Sequence, residues 1–292
     1  MSTHPVILDF DGSVLPVSAH ETRLPFSSLQ EKIRFACSGS ALQRLGNDLE
    51  QLLPSRKACI FMGSGDFHHV SLPLIKLAAR TTQVPWDLII LDNHPDNMRF
   101  PFGVHCGSWV SRATALTAIR HTHVLGITST DIGGTHAWEN RLLPLLRGRL
   151  TYWSVNRPAV WFKTLGLADR HRNFPDADAL LDAFLPLLAA SPGVYLSIDK
   201  DVLSPEDART NWDQGVFKKR HLRAVVEACR SKLAGTDVTG EISLYAYKNP
   251  FKRLLSRLDG QHNPEPGQTD SWQRGHQNLN REILNWINSG SS

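Results

Sequence analysis

Little in this sequence ties it to a membrane, an oxidising compartment or nucleic acid. No continuous apolar run is long enough to span a bilayer. The opening Met1-Ser2-Thr3-His4-Pro5 does not read as a signal peptide, so a cytoplasmic location is expected. Cysteine is scarce: Cys37, Cys59, Cys106 and Cys229 are scattered without a pairing pattern, which suits reduced thiols better than a disulfide framework. Neither sign of charge dominates, since 32 Lys and Arg face 28 Asp and Glu, a net charge of +4. The densest basic cluster, Lys218-Lys219-Arg220 with Arg223, reads as the solvated face of a helix. No nucleic-acid partner and no membrane partner is expected. No internal repeat is visible.

What is present is a series of short apolar runs ending in polar residues. The 292 residues are 41% hydrophobic, enough for a sizeable core and for one α/β domain over the whole chain. A strand from Val6 runs into a turn at Gly12, and a helical pattern over 26–53 ends near Pro54. Strands are predicted at 58–62, 86–92, 123–128, 150–155, 193–201 and 237–243. Helices are predicted from a Ser71 cap to about 80, and near 107–120, 138–147, 176–190 and 218–233. Residues 156–175 read as irregular and 259–270 as a Pro/Gly/Gln-rich connector. Trp272, Leu279, Ile283 and Ile287 stand at near-helical spacing, so a docked C-terminal helix is expected at about 271–288. Alternating strands and helices imply a three-layer αβα fold around a mostly parallel sheet.

The run Leu88-Ile89-Ile90-Leu91-Asp92-Asn93-His94-Pro95-Asp96 organises the rest. Asp92 and His94 are two apart and share a face of an extended chain, and Asp96 keeps the spacing. Two carboxylates and an imidazole aimed at one point are costly without a positive partner, and a divalent metal is the simplest one. A second run ends in Ser197-Ile198-Asp199-Lys200-Asp201, and a third opens into Gly63-Ser64-Gly65-Asp66-Phe67-His68-His69. Sites in parallel sheets form beyond the carboxyl ends of the strands, so these three ends are expected to converge. His68, Asp92, His94, Asp96, Asp199 and Asp201 would then share one site. Four carboxylates offset the charge of two divalent ions. The mixed oxygen and imidazole set suits Mn²⁺, with Zn²⁺, Fe²⁺ or Ni²⁺ as alternatives. Two ions roughly 3.5–4 Å apart would hold a bridging water and lower its pKa, which is hydrolytic machinery.

The order Gly-x-Gly-Asp-x-His, Asp-x-His-x-Asp, Ser-x-Asp-x-Asp resembles the ureohydrolase superfamily of arginase, agmatinase and formiminoglutamase, over roughly 58–245. The resemblance implies an arginase-like α/β/α fold, a binuclear manganese centre and hydrolysis of a guanidino or formimino C–N bond in a small molecule; a homo-oligomer is left open. It implies that Asp92 and Asp199 bridge the metals. His105, in Gly-Val-His-Cys-Gly, falls where the family keeps a proton-shuttling histidine, and Glu241 looks like the carboxylate that grips the guanidinium. Asp96 is expected to aim the attacking oxygen. The family has His directly after Gly-Asp; here Phe67 intervenes, so the ligand is His68 or His69, with His68 preferred. Ser204-Pro205 and Asn211-Trp212-Asp213-Gln214-Gly215 also depart from the pattern, which leaves the substrate open. Asp131 and Glu139 are candidate pocket residues, while His121, His123 and His136 have no spacing that singles them out.

Two rival readings exist. Val6-Ile7-Leu8-Asp9-Phe10-Asp11-Gly12 resembles the first motif of haloacid-dehalogenase-type phosphatases, in which Asp9 would be the nucleophile and Asp11 the acid/base. Such an enzyme needs further groups around Mg²⁺ and is expected to carry a cap domain; otherwise Asp9 and Asp11 simply end the first strand near the site. The other rival is a metal-binding protein of the same fold without turnover.

Overall fold

The apolar runs become the strands of one sheet. The computed structural model describes residues 3–53, 58–81, 84–258, 260–261, 267 and 269–289. In chain order the elements are β1 (Pro5–Asp9), β2 (Thr22–Pro25), α1 (Gln30–Ile33), β3 (Ala36–Cys37), α2 (Gly39–Leu52), β4 (Cys59–Phe61), α3 (Ser71–Ala79), β5 (Trp86–Leu91), β6 (Val104–His105), α4 (Val110–Thr114) and β7 (Ile119–Ile127). They continue with α5 (Leu142–Leu146), β8 (Leu150–Val155), α6 (Trp161–Thr164), β9 (His171–Phe174), α7 (Ala177–Ala189), β10 (Val194–Asp199), α8 (Lys219–Cys229), β11 (Leu233–Thr239), α9 (Pro250–Leu258) and α10 (Thr269–Asn288). Nine strands form a sheet in the order β2-β1-β4-β11-β10-β5-β7-β8-β9, with every neighbouring pair parallel.

Period-two alternation divides the core. On β5, Trp86, Leu88 and Ile90 face a cluster with α2, α3 and α4, while Ile89 and Leu91 face one with α7, α8 and α10. A sheet covered on both faces accounts for strands that read as unbroken apolar runs. Asp176 caps α7 by accepting from the Ala179 amide at 2.8 Å. Leu279, Ile283, Leu284 and Ile287 bury the apolar stripe of α10 in the second cluster.

Several expectations change in detail. The helical pattern over 26–53 is broken: Phe35 has φ +68°, and Ala36–Cys37 pairs antiparallel with Val104–His105 before α2 begins. Residues 107–120 hold only the short α4, because β7 starts at Ile119. The irregular stretch 156–175 contains α6 and the edge strand β9, whose half-exposed His171–Phe174 lacks a buried-strand signature. The last strand is Leu233–Thr239, four residues earlier than expected, since a 3-10 turn ends α8 at Cys229. Most of the connector at 259–270, and Pro54, lie outside the described residues.

Candidate metal centre

β4, β5 and β10 end at the same edge, and the turns beyond them deliver the three motifs. Asp92 follows β5 directly, and Asp199 is the last residue of β10. Past β4 the chain enters a 3-10 turn, Gly65–Val70, which carries His68 inward. His68 Nδ1 lies 2.9 Å from Asp96 Oδ2, 3.1 Å from Asp92 Oδ2 and 3.5 Å from Asp199 Oδ2. His94 Nδ1 lies 2.9 Å from Asp201 Oδ2 and 3.5 Å from Asp92 Oδ1. His68, Asp92 and Asp96 thus form one set of convergent ligand atoms, and Asp92, His94 and Asp201 form a second. Asp92 belongs to both, one oxygen toward each.

The surrounding contacts fix these ligands. Ser197 Oγ donates to Asp237 Oδ1 at 2.7 Å, so it accepts from His68 Nε2 at 3.0 Å. That leaves Nδ1 of a neutral His68 with its lone pair toward the cluster. His94 repeats the arrangement: Nε2 meets Asp213 Oδ1 at 2.6 Å, and Nδ1 faces Asp201. Asp213 is also held by the Asn93 side-chain amide at 3.1 Å. Asp96 has φ +45° and accepts from Trp109 Nε1 at 2.7 Å, so its carboxylate is pinned although its backbone leaves the extended region. Gly240 has φ +88°, and a Cβ there would stand 2.5 Å from Asp199 Oδ1, so only glycine lets β11 pass the ligand.

Electrostatics tests whether cations fit. Burial opposes charge on all of these groups. Burial and the Asp92 charge push both Asp96 and Asp201 up to about 7, and burial with the Asp201 charge raises Asp199 well above its usual range. Despite burial, neighbouring carboxylates hold His68 and His94 well above the usual imidazole value, and the two imidazoles hold Asp92 far below that of a free carboxyl. Without a metal, protons supply the positive charge that the cluster demands. Asp92 Oδ2 is buried and accepts no hydrogen bond of good geometry among the described residues. Four convergent carboxylates, two imidazoles fixed through Nε2 and one unsatisfied oxygen fit a pair of divalent cations.

A cavity of about 500 Å³ opens over the cluster. His105, Cys106 and Trp212 line it, and the loop over 129–140 adds Asp131, His136 and Glu139. No Lys or Arg does so among the described residues. His105 Nδ1 accepts from the Gly107 amide at 2.9 Å, and burial lowers its imidazole to about 4, so it stands neutral. His69 does not line the cavity; burial holds it neutral, lowered to about 3, and His68 is the residue that meets the cluster.

Glu241 is placed elsewhere than expected. It is buried outside the cavity lining, where Lys200 Nζ donates to Oε1 at 2.5 Å and Asn280 Nδ2 to the same atom at 2.7 Å. His276 Nδ1 lies 3.4 Å from Oε2. The turn at Gly240 sends this side chain behind the strand ends, toward α10. The phosphatase motif fails on similar grounds. Asp9 pairs with Arg23, Asp11 with the buried Arg34, neither lines the cavity, and no cap domain is inserted among the described residues. Asp213 and Asp237 escaped the sequence reading because each acts through another side chain, across more than 100 residues for Asp213.

The chain matches no family model. An uncharacterized protein of Thermotoga maritima is 27% identical over 241 residues, which are 82% of this chain and 80% of that protein. The architecture is similar to arginase from Bacillus subtilis, with TM-score 0.56 and 13% identity over 98% of each chain. It is also similar to the proclavaminate amidino hydrolase of Streptomyces clavuligerus, with TM-score 0.54 and 17% identity over 99% of this chain and 92% of that one. The fold is therefore the three-layer, arginase-like α/β architecture.

Proposed function

We propose that this chain is a binuclear metal-dependent hydrolase that cleaves a C–N bond in a small guanidino or amidino compound. The observation that carries the reading is the pair of histidine–carboxylate sets sharing Asp92 at the strand ends. His68, Asp92, Asp96 and Asp199 would hold one cation and Asp92, His94, Asp199 and Asp201 the other, Mn²⁺ being the ion best matched to this donor set. When bound, such ions supply Lewis acidity that lowers the pKa of water and stabilises charge developing on the substrate.

The remaining work falls to the chain. Asp96, pinned by Trp109, accepts a hydrogen bond from the attacking water and aims it. His105 carries its hydrogen on Nε2, because Nδ1 is occupied by the Gly107 amide, so it offers a donor to the departing nitrogen. Glu241 is committed to Lys200, so recognition of the substrate's positive charge passes to the acids of the overhanging loop, Asp131 and Glu139. Trp212 and Met98 give the cavity its apolar wall.

The test is a screen for urea and ammonia release over guanidino, agmatine-like, ureido and formimino compounds with Mn²⁺, run beside a phosphatase screen. Release that disappears in Asp199→Ala supports the hydrolase. Phosphate release abolished by Asp9→Asn refutes it, and silence in both screens with two metals bound assigns the chain to non-catalytic metal binding.

A further inference from the structure

A second cavity, about 440 Å³, opens at the amino ends of β5, β7 and β8, the opposite end of the sheet from the metal centre. Alternation along β7 turns His121 and His123 to the face covered by α7, and the parallel neighbour β8 sets Thr151 and Trp153 beside them. Phe184, Leu187 and Leu188 of α7 form an apolar wall. Arg120, Arg170 and Arg172 also line the cavity, brought together from separate parts of the chain.

Two carboxylates, Asp87 and Asp169, line the cavity too, but each is paired with an arginine, and the charged groups left over are donors. Trp153 Nε1 donates to His123 Nδ1 at 3.1 Å, which fixes the hydrogen of a neutral His123 on Nε2. That N–H has no partner among the described residues. Burial pulls both imidazoles down, His123 to about 3, so this donor persists at neutral pH. Arg172 has its guanidinium 4.8 Å over the Trp153 ring and no carboxylate partner among the described residues. Arg120 is paired with buried Asp87, and Arg170 with the largely exposed Asp169. A metal does not suit this place, for among the described residues no third His, Cys, Asp or Glu converges on the two imidazoles.

We propose that this cavity binds a small organic oxyanion, its carboxylate or phosphate held by Arg172, Arg170 and His123 Nε2–H and its apolar body against Phe184, Leu187 and Leu188. Guanidinium forks match both headgroups, and the α7 wall selects for a body that inorganic anions lack.

The experiment is calorimetric titration of the Mn²⁺-loaded protein, at constant ionic strength, with benzoate and phenyl phosphate. Benzamide serves as a neutral isostere and inorganic phosphate as a headgroup without a body. Saturable binding of either aromatic anion, with none for benzamide and weaker binding of inorganic phosphate, is the expected result, and the tighter probe names the headgroup. Arg172→Ala, and Leu187→Glu on the exposed side of α7, should each weaken it by about tenfold or more. Circular dichroism establishes that both variants fold. No saturable binding overturns the proposal, as does equal affinity for inorganic phosphate. Unchanged affinity in both variants overturns it too, since the anion would then sit at the metal centre.

Discussion

Asp213 shows how much one exposed side chain can decide. Its carboxylate is 60% exposed, yet it meets His94 Nε2 and so sets which nitrogen of that ring faces Asp201. Removing such an outer partner typically costs about 10–100-fold in metal affinity. Asp213→Ala should weaken one of the two sites by that factor and leave the His68 site untouched, as read by Mn²⁺ titration followed by electron paramagnetic resonance; equal weakening of both sites would contradict the assignment. The cluster also sets a pH dependence. In the metal-free chain Asp96 and Asp201 keep a proton up to about 7, against 3.8 when unfolded, so the folded state binds more protons across that window. Stability contributed by these groups is therefore present at low pH and lost as pH rises through about 7. His68 and His94, raised above 6.5, add the same sign above that value, while Asp92, lowered, acts oppositely only in strong acid. The thermal midpoint of chelated protein should fall between about pH 5 and pH 8 on account of the cluster. A midpoint that falls as steeply in the Asp96→Asn, Asp201→Asn double variant would remove the cluster as the cause.

At the scale of elements, the most informative unit is the junction of β10, β11 and α10. Lys200 stands between two proposed ligands but points away from them, fully buried against Glu241, with His276 and Asn280 of α10 completing the network. The sequence could not reveal this, because Asp199 and Asp201 follow the period of a strand whereas Glu241 lies past a positive-φ glycine that no pattern orients. The strand-end motifs were legible for the opposite reason: two-residue spacing alone gives their direction. Truncating one member of a buried ion pair leaves an uncompensated charge, a loss of about 3–5 kcal/mol, whereas replacing both partners by apolar groups costs far less. Glu241→Ala should therefore destabilise the fold by about that amount in urea unfolding, and Lys200→Met with Glu241→Leu should recover most of it. If Glu241 gripped substrate instead, Glu241→Ala would raise KM with little change in the unfolding midpoint.

Across the whole molecule, the parallel sheet and its two covering layers were readable from alternating apolar runs and helical stripes. The edges were not: β2 and β9 are short and half-exposed, so they carry little of the apolar signal that marks β5 or β10. The cavity loops were not readable either, because their direction is set by contacts between distant residues such as Asn93 with Asp213. What the fold does with its metal centre can be measured globally. The proposed ligands come from turns after β4, β5 and β10, so cations bound there would tie together strands that span the middle of the sheet. Ions bound only by the folded state stabilise it by mass action, about 2.7 kcal/mol per site at a hundredfold excess over Kd. For a chain of this size that corresponds to a rise of about 4–5 °C in the thermal midpoint per site. Chelation should reverse it, Asp92→Asn should abolish most of the response because it alters a ligand common to both sites, and Asp213→Ala should remove about half. The shift should also narrow toward pH 5, where protons already occupy the carboxylates that cations must claim. A midpoint indifferent to both Mn²⁺ and chelator at pH 8 would mean that these six side chains do not hold a metal.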